Sequence, residues 1–198
     1  MKLDVPFFRQ TSPLNCGPTV LKMVLAYFGK DFPIEVLERE TGISEGKGIS
    51  TILIASAAAR LGYGVDFYSM QVTFNKENLK HEFYQKYADI NLMKQSEKLI
   101  KEAKTAGVKI EEKTVELGEL LSMLANDSLL IVLVDWNVVL GNGKGYQGHF
   151  VPVVGFDDEN VYVHNSGGEE FVKIKRKVFD EARKAKGTDE DVVVIYRS

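Results

Sequence analysis

Residues 10–18 read Gln-Thr-Ser-Pro-Leu-Asn-Cys-Gly-Pro and are followed by a stretch, Thr19 to Phe28, that predicts a helix. Its apolar residues recur at helical spacing. Pro18 is typical of a first helical turn, and Gly29 is typical of an exit. The cysteine of this stretch, Cys16, therefore lies at the mouth of a helix, where unpaired backbone N–H groups and the helix dipole favour a thiolate. The alternative is that Cys16 and Gly17 are small residues chosen for close packing.

A nucleophilic thiol needs a base, and the chain holds three histidines. His81 falls in a charged helical stretch, where we expect it to be solvated, and His164 ends a predicted strand. His149 opens a predicted strand directly after the glycine-rich loop 141–148. Taken alone, His149 reads as a satisfied core histidine; together with Cys16 it becomes the candidate general base.

An imidazole base is usually oriented by a partner on its other ring nitrogen. The acidic turn 157–159 predicts a hairpin that lays the strand 160–164 antiparallel to the one beginning at His149. Asn165 and His149 then share the open end of that hairpin. An amide oxygen there would fix the imidazole tautomer without adding charge. The competing interpretation is that residues 165–168, Asn-Ser-Gly-Gly, form a turn only.

These motifs, in this order, resemble the papain-like cysteine peptidases, and among them the bacteriocin-processing (double-glycine leader) peptidases and their free-standing relatives. The resemblance covers both ends of the chain and hardly touches residues 70–110. It implies that Gln10 supplies a side-chain N–H to an oxyanion hole, together with the backbone N–H of Cys16. The third member of the triad is usually Asp in the leader peptidases, so Asn165 departs from them and is closer to papain.

The order of predicted elements indicates an α+β domain, with a helical N-terminal half packed against an antiparallel sheet from the C-terminal half. Helices are predicted at Ile34 to Thr41, Ser50 to Leu61, Val115 to Leu124 and Val178 to Ala185. Strands are predicted at Val65 to Tyr68, Leu129 to Val134, Phe150 to Phe156, Asn160 to His164, Glu170 to Ile174 and Val192 to Tyr196. Leu3 to Phe8 reads as a short extended segment that Pro6 confines to an edge, and Pro152 inside a strand indicates an edge or a bulge.

Residues 1–198 are interpreted as one papain-like domain with a charged insertion at about 72–112. Within it, residues 75–106 are rich in Lys, Glu and Gln and predict one or two amphipathic helices. This insertion would serve as a lid or as a surface for a protein partner, and the pattern does not choose between them.

Composition narrows the functional classes. A net charge of −3 gives no basic face for nucleic acid. The longest apolar run is far too short to cross a bilayer, and the first residues do not read as a signal peptide. With one cysteine there is no intrachain disulfide and no thiolate cluster for a metal, so we expect a reducing, cytoplasmic setting and neither metal nor cofactor.

Two further features have weaker functional interpretations. Trp136 follows the most apolar strand and is interpreted either as a substrate wall or, more ordinarily, as packing at the rim of the core. Residues 157–159, Asp-Asp-Glu, resemble a fragment of a calcium loop but lack the other ligands, so a turn is expected.

The predicted activity is hydrolysis of a peptide or amide bond through a thioacyl intermediate on Cys16. Two alternatives remain at this point: an acyl or peptidyl transferase that uses the same residues, and a non-catalytic module that keeps the fold and holds a peptide. Activated reactivity of the Cys16 thiol would separate the enzymes from the binding module.

Overall fold

The computed structural model describes residues 1–143 and 145–197, so Lys144 of the predicted glycine-rich loop and Ser198 lie outside the described residues. One mixed sheet of seven strands has the order β2-β1-β7-β3-β4-β5-β6. The strands are β1 Gly64–Ser69, β2 Lys109–Glu112, β3 Ser128–Asp135, β4 Gly148–Phe156, β5 Asn160–Val163, β6 Val172–Lys175 and β7 Val192–Tyr196. The predicted α+β class is confirmed.

Helices flank this sheet and agree with most of the predicted positions. They are α1 Cys16–Tyr27, α2 Ile34–Thr41, α3 Thr51–Arg60, α4 Glu82–Tyr87, α5 Ile90–Met93, α6 Ser96–Thr105, α7 Leu117–Ser122, α8 Trp136–Leu140 and α9 Arg176–Arg183, with a 3₁₀ helix at Lys76–Lys80. The short helix α8 directly follows β3 and was not predicted. The side chain of Asp135 starts it by accepting a hydrogen bond from the Asn137 backbone N–H at 3.0 Å.

The first helix begins at the cysteine itself. Pro18 lacks a backbone N–H and fits its first turn without loss, and Gly29 follows its end with φ +90°. Nine of the twelve α1 residues are buried, and the helix packs against β4 and α2. Burial on so many sides fixes α1, and with it Cys16, against the middle of the sheet.

Strand pairing differs from the predicted sheet in two respects. β1 comes from the N-terminal half yet pairs antiparallel with β7, so the two halves of the chain share one sheet. β2 then pairs parallel with β1 at one edge, so the sheet is not purely antiparallel. β2 escaped prediction because its sequence, Lys-Ile-Glu-Glu, is charged, as is common in an exposed edge strand.

Pro152 lies in β4, which is an interior strand, so the edge interpretation is wrong and the bulge interpretation is confirmed. The register between β4 and β5 shifts between Val153 and Gly155. The carbonyl of Pro152 accepts from the His164 N–H at 3.3 Å, which shows that the ring nitrogen faces this irregular side. The missing donor of the proline therefore falls opposite His164, just beyond the end of β5 and next to the register shift.

The charged segment 75–106 contains four short helical pieces instead of one or two helices. Its first part is fixed by Asp189, whose carboxylate accepts from Asn75 Nδ2 at 2.9 Å and from Asn78 Nδ2 at 2.7 Å. That residues 72–112 are an insertion into one domain stays a prediction. Among the described residues, no helix combines the length and apolar character that a membrane crossing requires.

Candidate active site

The cysteine occupies the first position of α1 and lines a cleft of about 290 Å³ between that helix and β4. Cys16 is 9% exposed, and it lines this cleft. Burial raises the pKa of the thiol, although the backbone amides of Phe150, Gly17 and Cys16 lie against the sulfur and oppose that effect. The predicted lowering of the thiol pKa is therefore wrong for this closed arrangement, because desolvation outweighs the helix terminus.

Gly17 packs closely against a neighbouring side chain. A Cβ built on Gly17 would come within 2.5 Å of Ile49 Cγ2, so the Ile49 side chain already fills that position. The packing interpretation of the glycine is thus confirmed.

The histidine and the asparagine meet as the hairpin argument predicted. His149 Nε2 lies 3.0 Å from Asn165 Oδ1. The same oxygen accepts a hydrogen bond from the Gly167 backbone N–H at 3.0 Å, which identifies it as the amide oxygen. An oxygen only accepts, so His149 Nε2 must carry a hydrogen and, in the neutral ring, Nδ1 carries the lone pair.

The imidazole is held neutral. Burial lowers the pKa of His149 to about 4, and the hydrogen bond to Asn165 opposes that effect only in part. The indole of Trp136 packs against the ring, with centroids 5.2 Å apart at 65°. Trp136 is 8% exposed and lines the cleft. Trp136 is therefore part of the core rim and also a wall of the cleft, while its role as a substrate wall stays a prediction.

The side chain of Gln10 is fixed by two hydrogen bonds. Its Nε2 donates to the Ser12 carbonyl at 2.9 Å, and its Oε1 accepts from Ser166 Oγ at 2.8 Å. Its backbone N–H also donates to the Ser166 carbonyl at 2.9 Å. Gln10 lines the same cleft as Cys16, His149 and Asn165, so all four predicted site residues share one cavity.

A wall of the cleft comes from a part of the chain that sequence reasoning did not place. Phe83, Tyr84 and Tyr87 of α4 line it opposite the sheet. The ring of Tyr84 stacks on Tyr146, with centroids 5.3 Å apart at 14°, and the Tyr84 hydroxyl donates to the Gly187 carbonyl at 2.5 Å. The dense aromatic content of residues 83–87 was the available signal. Nothing local to the sequence indicates where such a short helix docks.

The other two histidines have structural surroundings. His164 is fully buried; its Nδ1 accepts from the Phe171 N–H at 3.0 Å and its Nε2 lies 2.9 Å from the Val5 carbonyl. His81 is half-buried against Tyr146, with centroids 5.2 Å apart, so it is only partly solvated.

The acidic turn 157–159 forms as expected. Asp157 Oδ1 accepts from the backbone N–H groups of Glu159 at 2.9 Å and of Asn160 at 2.7 Å, so it organises the hairpin. Within residues 1–143 and 145–197, His, Cys, Asp and Glu side chains do not gather in threes or more in a way that would hold a metal ion.

Comparison with known proteins gives two results. By sequence, residues 5–195 match the model of a family described as guanylylate cyclase. Guanylyl cyclase 1 of Arabidopsis thaliana is 27% identical over 210 residues, which cover 98% of this chain and 76% of that protein.

By structure, the chain is similar to peptidase domains. A C39-like peptidase from Bacillus anthracis matches with a TM-score of 0.62 at 15% identity, covering 100% of this chain and 98% of that one. A double-glycine-motif protease from an AMS/PCAT transporter, solved with its leader peptide, matches at 0.55 and 20% identity, covering 100% and 94%. The peptidase domain of Streptococcus ComA matches at 0.53 and 14% identity, covering 96% and 97%. These likenesses establish a peptidase-like fold.

Proposed function

The chain belongs to the guanylylate cyclase family, and we propose that this member is a cysteine hydrolase that cleaves a peptide or amide bond through a thioester on Cys16. The observation that carries the proposal is the contact of His149 Nε2 with Asn165 Oδ1 at 3.0 Å, in the cleft that the cysteine lines. That contact leaves the basic nitrogen Nδ1 to exchange a proton with the thiol. His164, by contrast, is fully buried with both ring nitrogens hydrogen-bonded.

The reaction begins from a neutral pair, since burial disfavours both the thiolate and the imidazolium. As Sγ bonds to the carbonyl carbon, its proton passes to His149 Nδ1. The imidazolium then protonates the leaving amine, and the C–N bond breaks to give the thioester. Water attacks the thioester with His149 as base, which releases the acid and restores the thiol.

The tetrahedral intermediate carries a negative oxygen that needs donors. The backbone N–H of Cys16, at the start of α1, is one. Gln10 is the second, because only one of its two Nε2 hydrogens is used for the Ser12 carbonyl. An amine in place of water in the last step would make the same residues a transferase.

The proposed compartment and partner follow from the chemistry. A lone thiol that acts as nucleophile has to stay reduced, which the cytoplasm provides. The substrate is a peptide or amide that enters the aromatic-walled cleft between α4 and β4. The similarity to ComA and to the transporter protease supports the fold only.

The family name favours a second candidate, guanylyl cyclase activity. A cyclase joins the ribose 3′-hydroxyl of GTP to the α-phosphorus and releases pyrophosphate, which involves no thioester. Such an activity would not depend on Cys16 as a nucleophile. This difference makes the two candidates separable with one variant.

The test incubates the purified chain with a peptide library and, separately, with GTP and Mg²⁺. Cleavage that is lost in Cys16→Ala and in His149→Ala, and retained in the surface control Asn91→Ala, supports the hydrolase. Release of pyrophosphate that persists in Cys16→Ala, with no cleavage of any peptide, would overturn it in favour of the cyclase. Mass spectrometry of products formed with added amines reports transfer.

A further inference from the structure

A second cavity adjoins the cleft that contains Cys16. The two share four wall residues, Ile49, Tyr84, Ala88 and Leu133. Ile49 is also the residue packed against Gly17, next to the cysteine in the chain. A side chain next to a carbonyl held at Cys16 would therefore have to pass Ile49 to enter this second cavity.

Just over half of the residues that line this second cavity, called the inner cavity below, are apolar or aromatic. Phe67 comes from β1 and Ile52 from α3, while the segment 72–99 contributes Val72, Phe74 and Leu99. Phe67, Ile52 and Leu99 are buried parts of the core. Such walls suit a methylene chain, which gains by leaving water.

The polar part of the inner cavity contains two carboxyl groups and several neutral donors. Asp189 and Asp191 line it together with Thr51 and the two asparagines that hold Asp189. Thr51 Oγ1 donates to Asp191 Oδ2. Every donor named here is neutral, and among the residues that the structure describes no Lys, Arg or His lines the cavity.

Two carboxylates that face an apolar cavity are costly unless a cation or a set of strong donors accompanies them. Burial raises the pKa of Asp191 to about 7 and also raises that of Asp189, as expected for carboxyls without a cationic partner. A ligand with an ammonium group on an aliphatic chain would fill the apolar part of the cavity and place a cation beside the two carboxyl groups.

We propose that this inner cavity is a specificity subsite that takes an amine-bearing aliphatic side chain of the substrate, of the lysine type. The inference rests on the proposed function for its role in cleavage, but binding in the cavity does not require a working thiol. The proposed subsite gives the segment 72–99 a function, because this segment forms one wall of both cavities.

The experiment uses the Cys16→Ala chain, so that turnover plays no part. N-acetyl-lysine N′-methylamide and its norleucine counterpart are titrated separately while the side-chain amide signals of Asn75 and Asn78 are followed by NMR. We expect the lysine compound to shift these signals and to bind at least about tenfold more tightly, as for a charge-assisted contact. Asp191→Asn should remove the preference, and Val72→Phe should block both compounds by filling the cavity.

Equal affinity for the two compounds, or shifts confined to residues outside the inner cavity, would overturn the subsite. Thermal unfolding of each variant shows whether it is folded. If Asp191→Asn is too unstable to test, Val72→Phe still tests binding in the cavity, because it fills the cavity without removing either carboxyl group. If the lysine compound binds but the wild type cleaves no peptide, the subsite stands and the proposed hydrolase is wrong. If the wild type cleaves peptides but neither compound is preferred, the hydrolase stands and the subsite is wrong.

Discussion

Ser166 Oγ donates to Gln10 Oε1 at 2.8 Å, one residue beyond the asparagine that holds His149. The loop 165–167 thus positions the base through Asn165 and the amide of Gln10 through Ser166. His149 and Gln10, which are 139 residues apart in the chain, are therefore both positioned by one short turn. This coupling supports a first prediction about catalysis.

Ser166→Ala is expected to lower kcat about tenfold with little change in KM, because Gln10 loses the donor that fixes its side chain. Gln10→Ala, which removes the amide itself, should cost about 100- to 1000-fold. Steady-state kinetics on a cleaved peptide measures both. An equal loss in the two variants, or a Ser166→Ala effect confined to KM, would contradict a positioning role for Ser166.

Asn165→Asp is expected to raise the pKa of His149 from about 4 by about one to three pH units, because a carboxylate beside Nε2 favours the imidazolium. The two side chains have the same shape, so packing is preserved. An NMR titration of the ring measures the change, with the exposed Asn91→Asp as control. An unchanged titration would mean that the two side chains are not in contact in solution.

Acid should destabilise the fold through His149. Between pH 6.5 and 4 the unfolded chain binds a proton that the folded site excludes, so the free energy of unfolding falls as the pH is lowered. From pH 7 to pH 5 this residue accounts for up to about 2 kcal/mol. Urea unfolding of the wild type and of His149→Gln at both pH values checks this, and the variant should lose correspondingly less.

The thiol is expected to react slowly with iodoacetamide at neutral pH and faster in alkali, because burial raises its pKa. Phe83→Ala removes part of the α4 wall and admits water, so it should accelerate alkylation at pH 7. Cys16 is the only cysteine, so intact mass reports the reaction without ambiguity. Because the proposed hydrolase starts from a neutral thiol, slow alkylation no longer separates it from a non-catalytic module, and only loss of cleavage in Cys16→Ala does so. A rate plateau below pH 7 in the wild type would instead indicate a preformed thiolate–imidazolium pair.

Gly187→Ala should lower the free energy of unfolding by more than about 1 kcal/mol. Gly187 has φ +105°, and an added Cβ would lie 3.0 Å from the Tyr146 ring. Gly118 in α7 provides the matched control, since its Cβ would meet nothing within 4 Å and its φ is ordinary. Gly118→Ala should be neutral or stabilising. Chemical denaturation compares the two.

Sequence patterns predicted correctly those helices, strands and turns whose conformation depends mainly on their own residues. α2 at Ile34–Thr41 and β7 at Val192–Tyr196 agree with the predicted bounds, and the hairpin placed Asn165 beside His149. α8 was missed because Val138 and Val139 favour a strand, while the Asp135 cap decides for a helix.

The α4 wall was beyond prediction for a different reason. A six-residue helix has little stability alone and takes its place from contacts such as that of Tyr84 with Gly187, which are distant in sequence. The same long-range contacts place α4 in the wall of the cleft that Cys16 lines. The sequence-based expectation of an activated Cys16 considered the helix terminus and could not include this burial.

The edge-on packing of Trp136 against His149 gives the protein a built-in optical reporter. Because the chain has a single tryptophan, its whole indole emission originates beside the imidazole. Protonation of that ring, or arrival of a peptide in the cleft, should change the emission intensity or wavelength directly. Occupancy of the site can therefore be followed by stopped-flow spectroscopy on the unlabelled protein, before any substrate has been identified.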